Sequence, residues 1–166
     1  KVYKAKASQF ADSKASVLGD FIPAFLGFDE DERPISLVAT TDYSQTLLFF
    51  FENGKVAKIP LSAYQTKTNR KRLAKAYWGG AAITALFSED NVSEYLLKSS
   101  NGRSLIFSSA LISSKVTRDS QGVQVMTLAK GCILSSVLQY TEGMINNPHR
   151  FRPKNIPSRG QIPRSE

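Results

Sequence analysis

Along this chain, apolar residues come in short stretches, alternating with polar ones or running unbroken, and two such stretches meet at Asn-Gly. Leu47 to Glu52 leads into Asn53-Gly54 and on through Lys55 to Leu61, and Tyr95 to Ser100 leads into Asn101-Gly102 and on through Arg103 to Phe107. Asn-Gly accepts positive φ at both central positions of a type I′ turn, whose twist matches that of paired strands, so each place is predicted to be a tight β-hairpin. Further strand-like pieces lie at Ile35 to Thr40, Ile83 to Phe87, Val123 to Leu128 and Cys132 to Tyr140. Gly27 to Asp31 and Ser88-Glu89-Asp90-Asn91 punctuate them as turns. Helical periodicity is convincing nowhere, with only a short helical turn expected over Asn69 to Trp78.

The hairpins repeat. Gly54-Lys55-Val56-Ala57-Lys58-Ile59 superimposes on Gly102-Arg103-Ser104-Leu105-Ile106-Phe107, and Tyr64 then falls opposite Ile112. Lys1-Val2-Tyr3-Lys4-Ala5 fits the same frame, with Phe10 opposite Tyr64 and Ile112. A period of roughly 50 residues belongs to propeller blades or similar β units rather than to helical solenoids. The expectation is an all-β domain of antiparallel blades over residues 1–140, with about three repeats visible. The opening residues read as the second arm of a hairpin whose first arm is missing, which implies a fragment of a longer polypeptide. After Tyr140 the texture changes: Pro148, Pro153, Pro157 and Pro163 interrupt a segment carrying Arg150, Arg152, Lys154, Arg159 and Arg164. Residues 141–166 are expected to be a basic Pro-rich tail, extended or disordered unless it docks.

Composition narrows the chemistry. With 166 residues and 42% hydrophobic content the chain is long enough to bury a core. A net charge of +8 and a pI near 9.7 draw polyanions: nucleic acid, acidic protein or anionic membrane. The single cysteine, Cys132, sits in the apolar run Cys132-Ile133-Leu134 and reads as a buried thiol in a reducing compartment. One cysteine and one histidine do not make a zinc site, no carboxylate cluster has calcium-loop spacing, and no cofactor is expected. The longest strongly apolar run, Leu47 to Phe51, is far short of the roughly 20 residues that cross a bilayer, so a cytoplasmic protein without a membrane partner is expected.

The basic residues are concentrated. Lys67, Arg70, Lys71, Arg72 and Lys75 fall in one loop after the second β segment, with no acid among them. Lys115 and Arg118 occupy the equivalent place after the third, and Lys14 after the first. An isolated run of this kind is usually a solvated loop. Recurrence at one position of a repeat would instead line one rim of a curved module with charge, which suits a duplex backbone because phosphate contacts release counterions without requiring any sequence.

Asp42-Tyr43-Ser44 together with the stretch Leu47 to Tyr64 resembles the repeat in the C-terminal domain of the A subunits of the bacterial type IIA DNA topoisomerases, DNA gyrase and topoisomerase IV. The stretch Glu94 to Phe107 is similar to the next copy, followed by Arg118 and Gly122-Val123-Gln124-Val125-Met126-Thr127-Leu128 in the family's order. The resemblance runs from Lys1 to about Tyr140. It implies a β-pinwheel of four-stranded antiparallel blades, propeller-like, whose basic outer edge binds, bends or wraps duplex DNA for strand passage and control of supercoiling. On that resemblance Lys14, Lys67, Arg70, Lys71, Arg72, Lys75, Lys115 and Arg118 contact DNA, and the partners are the remainder of the A subunit and the ATPase B subunit. The sequence departs from the family in showing fewer repeats than its usual five or six blades. It also lacks the Gln-Arg-Arg-Gly-Gly-Arg-Gly type of box that marks gyrase.

Other polar and aromatic residues weigh toward structure. Phe49, Phe50 and Phe51 would suit base stacking, but they lie within a continuous apolar strand and are expected in the core. Trp78 is expected to pack between blades. Tyr3, Tyr43, Tyr64, Tyr77, Tyr95 and Tyr140 all lack the Ala-Ala-Arg-Tyr-Thr-like context of the family's cleavage tyrosine, and His149 has no Ser or Asp partner, so no catalytic residue is nominated. The competing reading is a protein-interaction propeller that docks an acidic partner through the same rim.

Overall fold

A computed structural model describes residues 1–68 and 70–164. Its strands are β1 (Val2–Tyr3), β2 (Thr46–Phe51), β3 (Lys55–Pro60), β4 (Arg72–Leu73), β5 (Ile83–Glu89), β6 (Glu94–Ser99), β7 (Ser104–Ser108), β8 (Val123–Gln124) and β9 (Leu134–Gln139). They pair antiparallel in three sheets, ordered β1-β4, β5-β2-β3-β8 and β7-β6-β9.

The two hairpins form where Asn-Gly stands, but with a different turn. Gly54 and Gly102 have φ of 81°, whereas Asn53 and Asn101 do not enter the left-handed region. The Gly54 amide donates to the Phe51 carbonyl (2.9 Å) and the Gly102 amide to that of Ser99 (3.0 Å). Each loop is therefore a three-residue turn closed by a left-handed glycine, rather than a two-residue type I′ turn. The Asn53 side chain accepts from the Lys55 amide (3.1 Å), which settles that residue in the turn without positive φ.

The repeat is carried by strand exchange. β3 receives β8 with Val56 opposite Val123, and β1 receives β4 with Val2 opposite Leu73. In both cases the edge strand comes from beyond the following hairpin. After β3 the chain crosses to the preceding unit, adds β4 there, and returns as β5 beside its own β2. After β7 it does the same with β8 and β9. β1 thus stands where β3 and β7 stand, as the repeat frame predicts.

Burial follows from that stacking. On β2, Leu47, Phe49 and Phe51 face one cluster with Leu61, Tyr64, Leu73 and Ala76. Leu48 and Phe50 face the other, with Tyr95, Leu97, Leu105 and Phe107 from the next blade. A strand covered on both faces needs no polar positions, which explains the unbroken apolar run. The three phenylalanines are core residues, and Trp78 packs edge-on against Phe51 at 5.1 Å between ring centroids.

Four sequence expectations change. Ile35 to Thr40 forms no strand, and Leu37 is 82% exposed. This segment occupies the place of β5 in its repeat, and among the described residues no strand beside β1 plays the part of β2. A short helix, α1 (Ile22–Leu26), was not expected; Pro23 in its first turn and left-handed Gly27 at its end delimit it. The segment Asn69 to Trp78 carries β4 in place of a helical turn, Asn69 itself lying outside the described residues. Val123 to Leu128 is a strand only at β8.

The Pro-rich segment docks. Phe151 is buried with Leu96 and Ile106, and Tyr140 and Ile145 pack around it. Gln161 and Ser104 exchange backbone hydrogen bonds of 2.7 and 2.8 Å.

Candidate nucleic-acid interface

Each unit places a 3₁₀ turn directly after its hairpin's second arm: Ala7–Gln9 after β1, Leu61–Tyr64 after β3 and Ser109–Leu111 after β7. Phe10, Tyr64 and Ile112 end these turns, in the frame the sequence suggests. From the second and third turns the chain sets out on the crossings that lead to β4 and β8, and most of the basic residues lie along them.

Two crossings are tied to the receiving unit through a lysine at the same place in the repeat frame. The Lys4 amide donates to the Lys71 carbonyl (2.7 Å), and the Lys115 amide donates to the Lys58 carbonyl (2.8 Å). Lys4 and Lys58 each lie two residues past the valine that pairs with the incoming strand, Val2 and Val56. The two contacts run in opposite senses, Lys4 donating and Lys58 accepting, and they fall at different places on the incoming segment: Lys71 lies just before β4, whereas Lys115 lies well before β8. Lys4 adds a side-chain bond to Thr66 Oγ1 (2.6 Å), while Lys58 bonds the Ser109 carbonyl (2.9 Å) and approaches Glu89 at 3.8 Å. These two lysines hold the crossings, a role that sequence reading missed; their common place in the repeat frame is the signal that would have found it.

The loop of Lys67, Arg70, Lys71 and Lys75 is held at both ends. Tyr64, buried at its start, donates its hydroxyl to the Ala76 carbonyl at its end. Burial pushes the Tyr64 hydroxyl pKa well up, with the Arg118 guanidinium pulling weakly the other way. Tyr64→Phe leaves a buried carbonyl without its donor and is expected to destabilise the protein by about 1–3 kcal/mol. Chemical denaturation measures this, with faster proteolysis at Lys67 and Arg70 as the local sign; an unchanged midpoint would mean that the ring alone is the anchor.

The charges differ in what they face. Among the described residues, Lys14, Lys67, Arg70, Lys71, Lys75, Lys115 and Arg118 make no ion pair. All are exposed except half-buried Arg118. Arg72, in β4, pairs with Asp29 at 2.7 Å and lies 5.9 Å from the Tyr3 ring centre. Asp29 and Glu32 belong to a segment folded over β1, where Phe28 stacks on Tyr3 at 4.3 Å and Lys1 and Tyr3 both bond Glu32. Those bonds, Lys1 first, hold the Glu32 carboxyl down at about 2. Lys14 follows the corresponding 3₁₀ turn, but its segment is exposed throughout and joins no strand. Lys67, Arg70 and Lys71 thus lie on the crossing into β4 and Lys75 just after it, Lys115 and Arg118 lie on the crossing into β8, and Lys14 stands apart.

No family model and no curated protein matches this sequence. Solved structures do. The crystal structure of the C-terminal domain of DNA topoisomerase IV superposes with a TM-score of 0.66 at 26% identity, over 78% of this chain and 41% of that one. This is the β-pinwheel fold of a type IIA topoisomerase C-terminal domain. The DNA gyrase A C-terminal domain shares the pinwheel fold, with a TM-score of 0.55 at 19% identity over 74% of this chain and 44% of that one. The pinwheel here spans less than half the length of either.

Proposed function

We propose that this chain is a non-catalytic DNA-binding module from the C-terminal region of a type IIA topoisomerase A subunit, acting in the cytoplasm. It binds, bends or wraps duplex DNA and presents it for strand passage by a cleavage core whose tyrosine lies elsewhere. The remainder of the A subunit and the ATPase B subunit are its partners. Residues 1–140 are its DNA-binding domain, and residues 141–166 are an appended basic segment.

The observation that carries this reading is the recurrence, on the two segments that deliver β4 and β8, of cations that form no ion pair among the described residues. Flexible cations on successive units suit phosphates spaced along a backbone and impose no base preference. The buried tyrosines fit a non-catalytic role. Tyr95 donates to the buried Glu89 carboxylate at 2.9 Å, and burial, then that bond, pushes its hydroxyl pKa up, the opposite of what a nucleophile needs.

Replacing Lys67, Arg70, Lys71 and Lys75 together by glutamine tests the proposal, with Arg72 retained because it is engaged by Asp29. Affinity is expected to fall alike for all duplex sequences. The plot of log affinity against log salt should become shallower by about 0.9 for each phosphate no longer engaged. A folded variant with unchanged affinity and slope would overturn the reading, as would tighter binding to one acidic protein than to any duplex.

A further inference from the structure

Among the described residues no hairpin follows β9, yet the outer face of β6 and β7 is covered and the free edge of β7 is paired. The 3₁₀ turn Pro148–Arg150 comes first, as the earlier 3₁₀ turns precede their crossings. The Ile106 amide then donates to the Phe151 carbonyl at 2.9 Å. Ile106 lies two residues past Ser104, as Lys4 lies two past Val2, so Phe151 meets β7 where Lys71 meets the first unit, with the same amide-to-carbonyl sense. Further on, Gln161 pairs with Ser104 as β8 pairs with β3.

The charges along this stretch divide into a pin and an exposed set. Arg152 grips Glu94 through Nε and Nη2, each at 2.8 Å, and holds that carboxyl below the ordinary range. This bidentate pair fastens the segment to β6 and leaves Arg152 engaged. Arg150, Lys154 and Arg159 are exposed and, among the described residues, form no ion pair.

We propose that residues 148–161 are the crossing of a repeat whose hairpin is absent, and that Arg150, Lys154 and Arg159 form a third set of duplex phosphate contacts in line with the loop cations. This rests on the DNA-binding reading above. The segment then has two separate functions: Phe151 and Arg152 cover and fasten the face of β6 and β7, and the exposed cations lengthen the track for the DNA backbone.

The test uses the full chain with Arg150→Gln, Lys154→Gln and Arg159→Gln combined, beside the four-residue loop variant. An unchanged Tm is expected, with weaker binding to every duplex and a salt slope shallower by about 0.9 for each phosphate released. Bound duplex should also slow tryptic cleavage after Lys154 and Arg159 in the unaltered chain, a readout that does not depend on how the variant folds. Unchanged slope and unprotected sites, with the loop variant still impaired, would overturn this inference and leave the DNA reading standing. If the unaltered chain showed no salt-dependent affinity for duplex, both would fall.

Discussion

Phe50→Ala is expected to destabilise the protein by about 3–5 kcal/mol, the range for emptying a fully buried aromatic site. Phe50 is 0% exposed on a strand flanked on both sides. Its ring meets Tyr95 at 5.1 Å, Phe87 at 5.9 Å and Phe107 at 6.1 Å between centroids, so it joins its own sheet to the next. Rings held in two different sheets have little freedom to collapse into the gap, which puts the loss toward the upper end of the range. Thermal unfolding should fall by roughly 10 °C in a chain of this size. A loss under about 1 kcal/mol would show that the interface between the blades is not packed through this residue. Phe25, 43% exposed and outside the three core clusters, is the contrast; its removal should change stability far less.

The same strand shows how far the sequence could be read. An unbroken run of apolar residues marks β2 as buried on both faces, but alternation within the run is invisible when both faces are apolar. Which side Phe49 and Phe50 take follows only from the strand exchange. That exchange leaves almost no local trace, because β4 and β8 are two-residue strands whose partners lie about seventy positions earlier in the chain. Ile35 to Thr40 has a strand's pattern and no neighbour to pair with, so pattern alone misleads there. The Asn-Gly pairs announced hairpins correctly and the turn type wrongly, since that dipeptide serves both a type I′ turn and a turn closed by a left-handed glycine.

At the basic site the charges and their recurrence after successive hairpins were legible, because both are properties of residue type and spacing. Their separation into engaged and available cations was not. Arg72 is engaged by Asp29, 43 positions away, and Arg152 by Glu94, 58 positions away. The Pro-rich segment read as a tail because only one large aromatic, Phe151, interrupts its polar run. Phe151, the Arg152–Glu94 pair and backbone bonds at Ser158 and Gln161 together dock it, and these partners lie too far away in the chain to be read locally.

The repeat also supplies its own control for backbone strain. Gly54 and Gly102 occupy the same position of equivalent turns and share a φ of 81°, a conformation that an L side chain adopts at a cost of about 1–2 kcal/mol. Their surroundings differ. A Cβ at Gly102 meets nothing within 4 Å, whereas one at Gly54 would sit 2.2 Å from the Met126 carbonyl oxygen. That carbonyl is backbone, and it cannot simply move away: the Met126 and Val125 amides both bond the Gly54 carbonyl, at 3.1 and 3.0 Å. Gly102→Ala should therefore lose only about 1–2 kcal/mol. Gly54→Ala should lose that and also part the Val125–Met126 segment from the hairpin, releasing two backbone bonds worth about 1 kcal/mol each and unsettling two buried side chains. Denaturation of the two variants side by side measures the difference, and hydrogen exchange at the Val125 and Met126 amides should rise in the Gly54 variant alone. Equal losses in the two variants would mean that the turn conformation is the whole effect and that the segment after β8 is not locked against the hairpin.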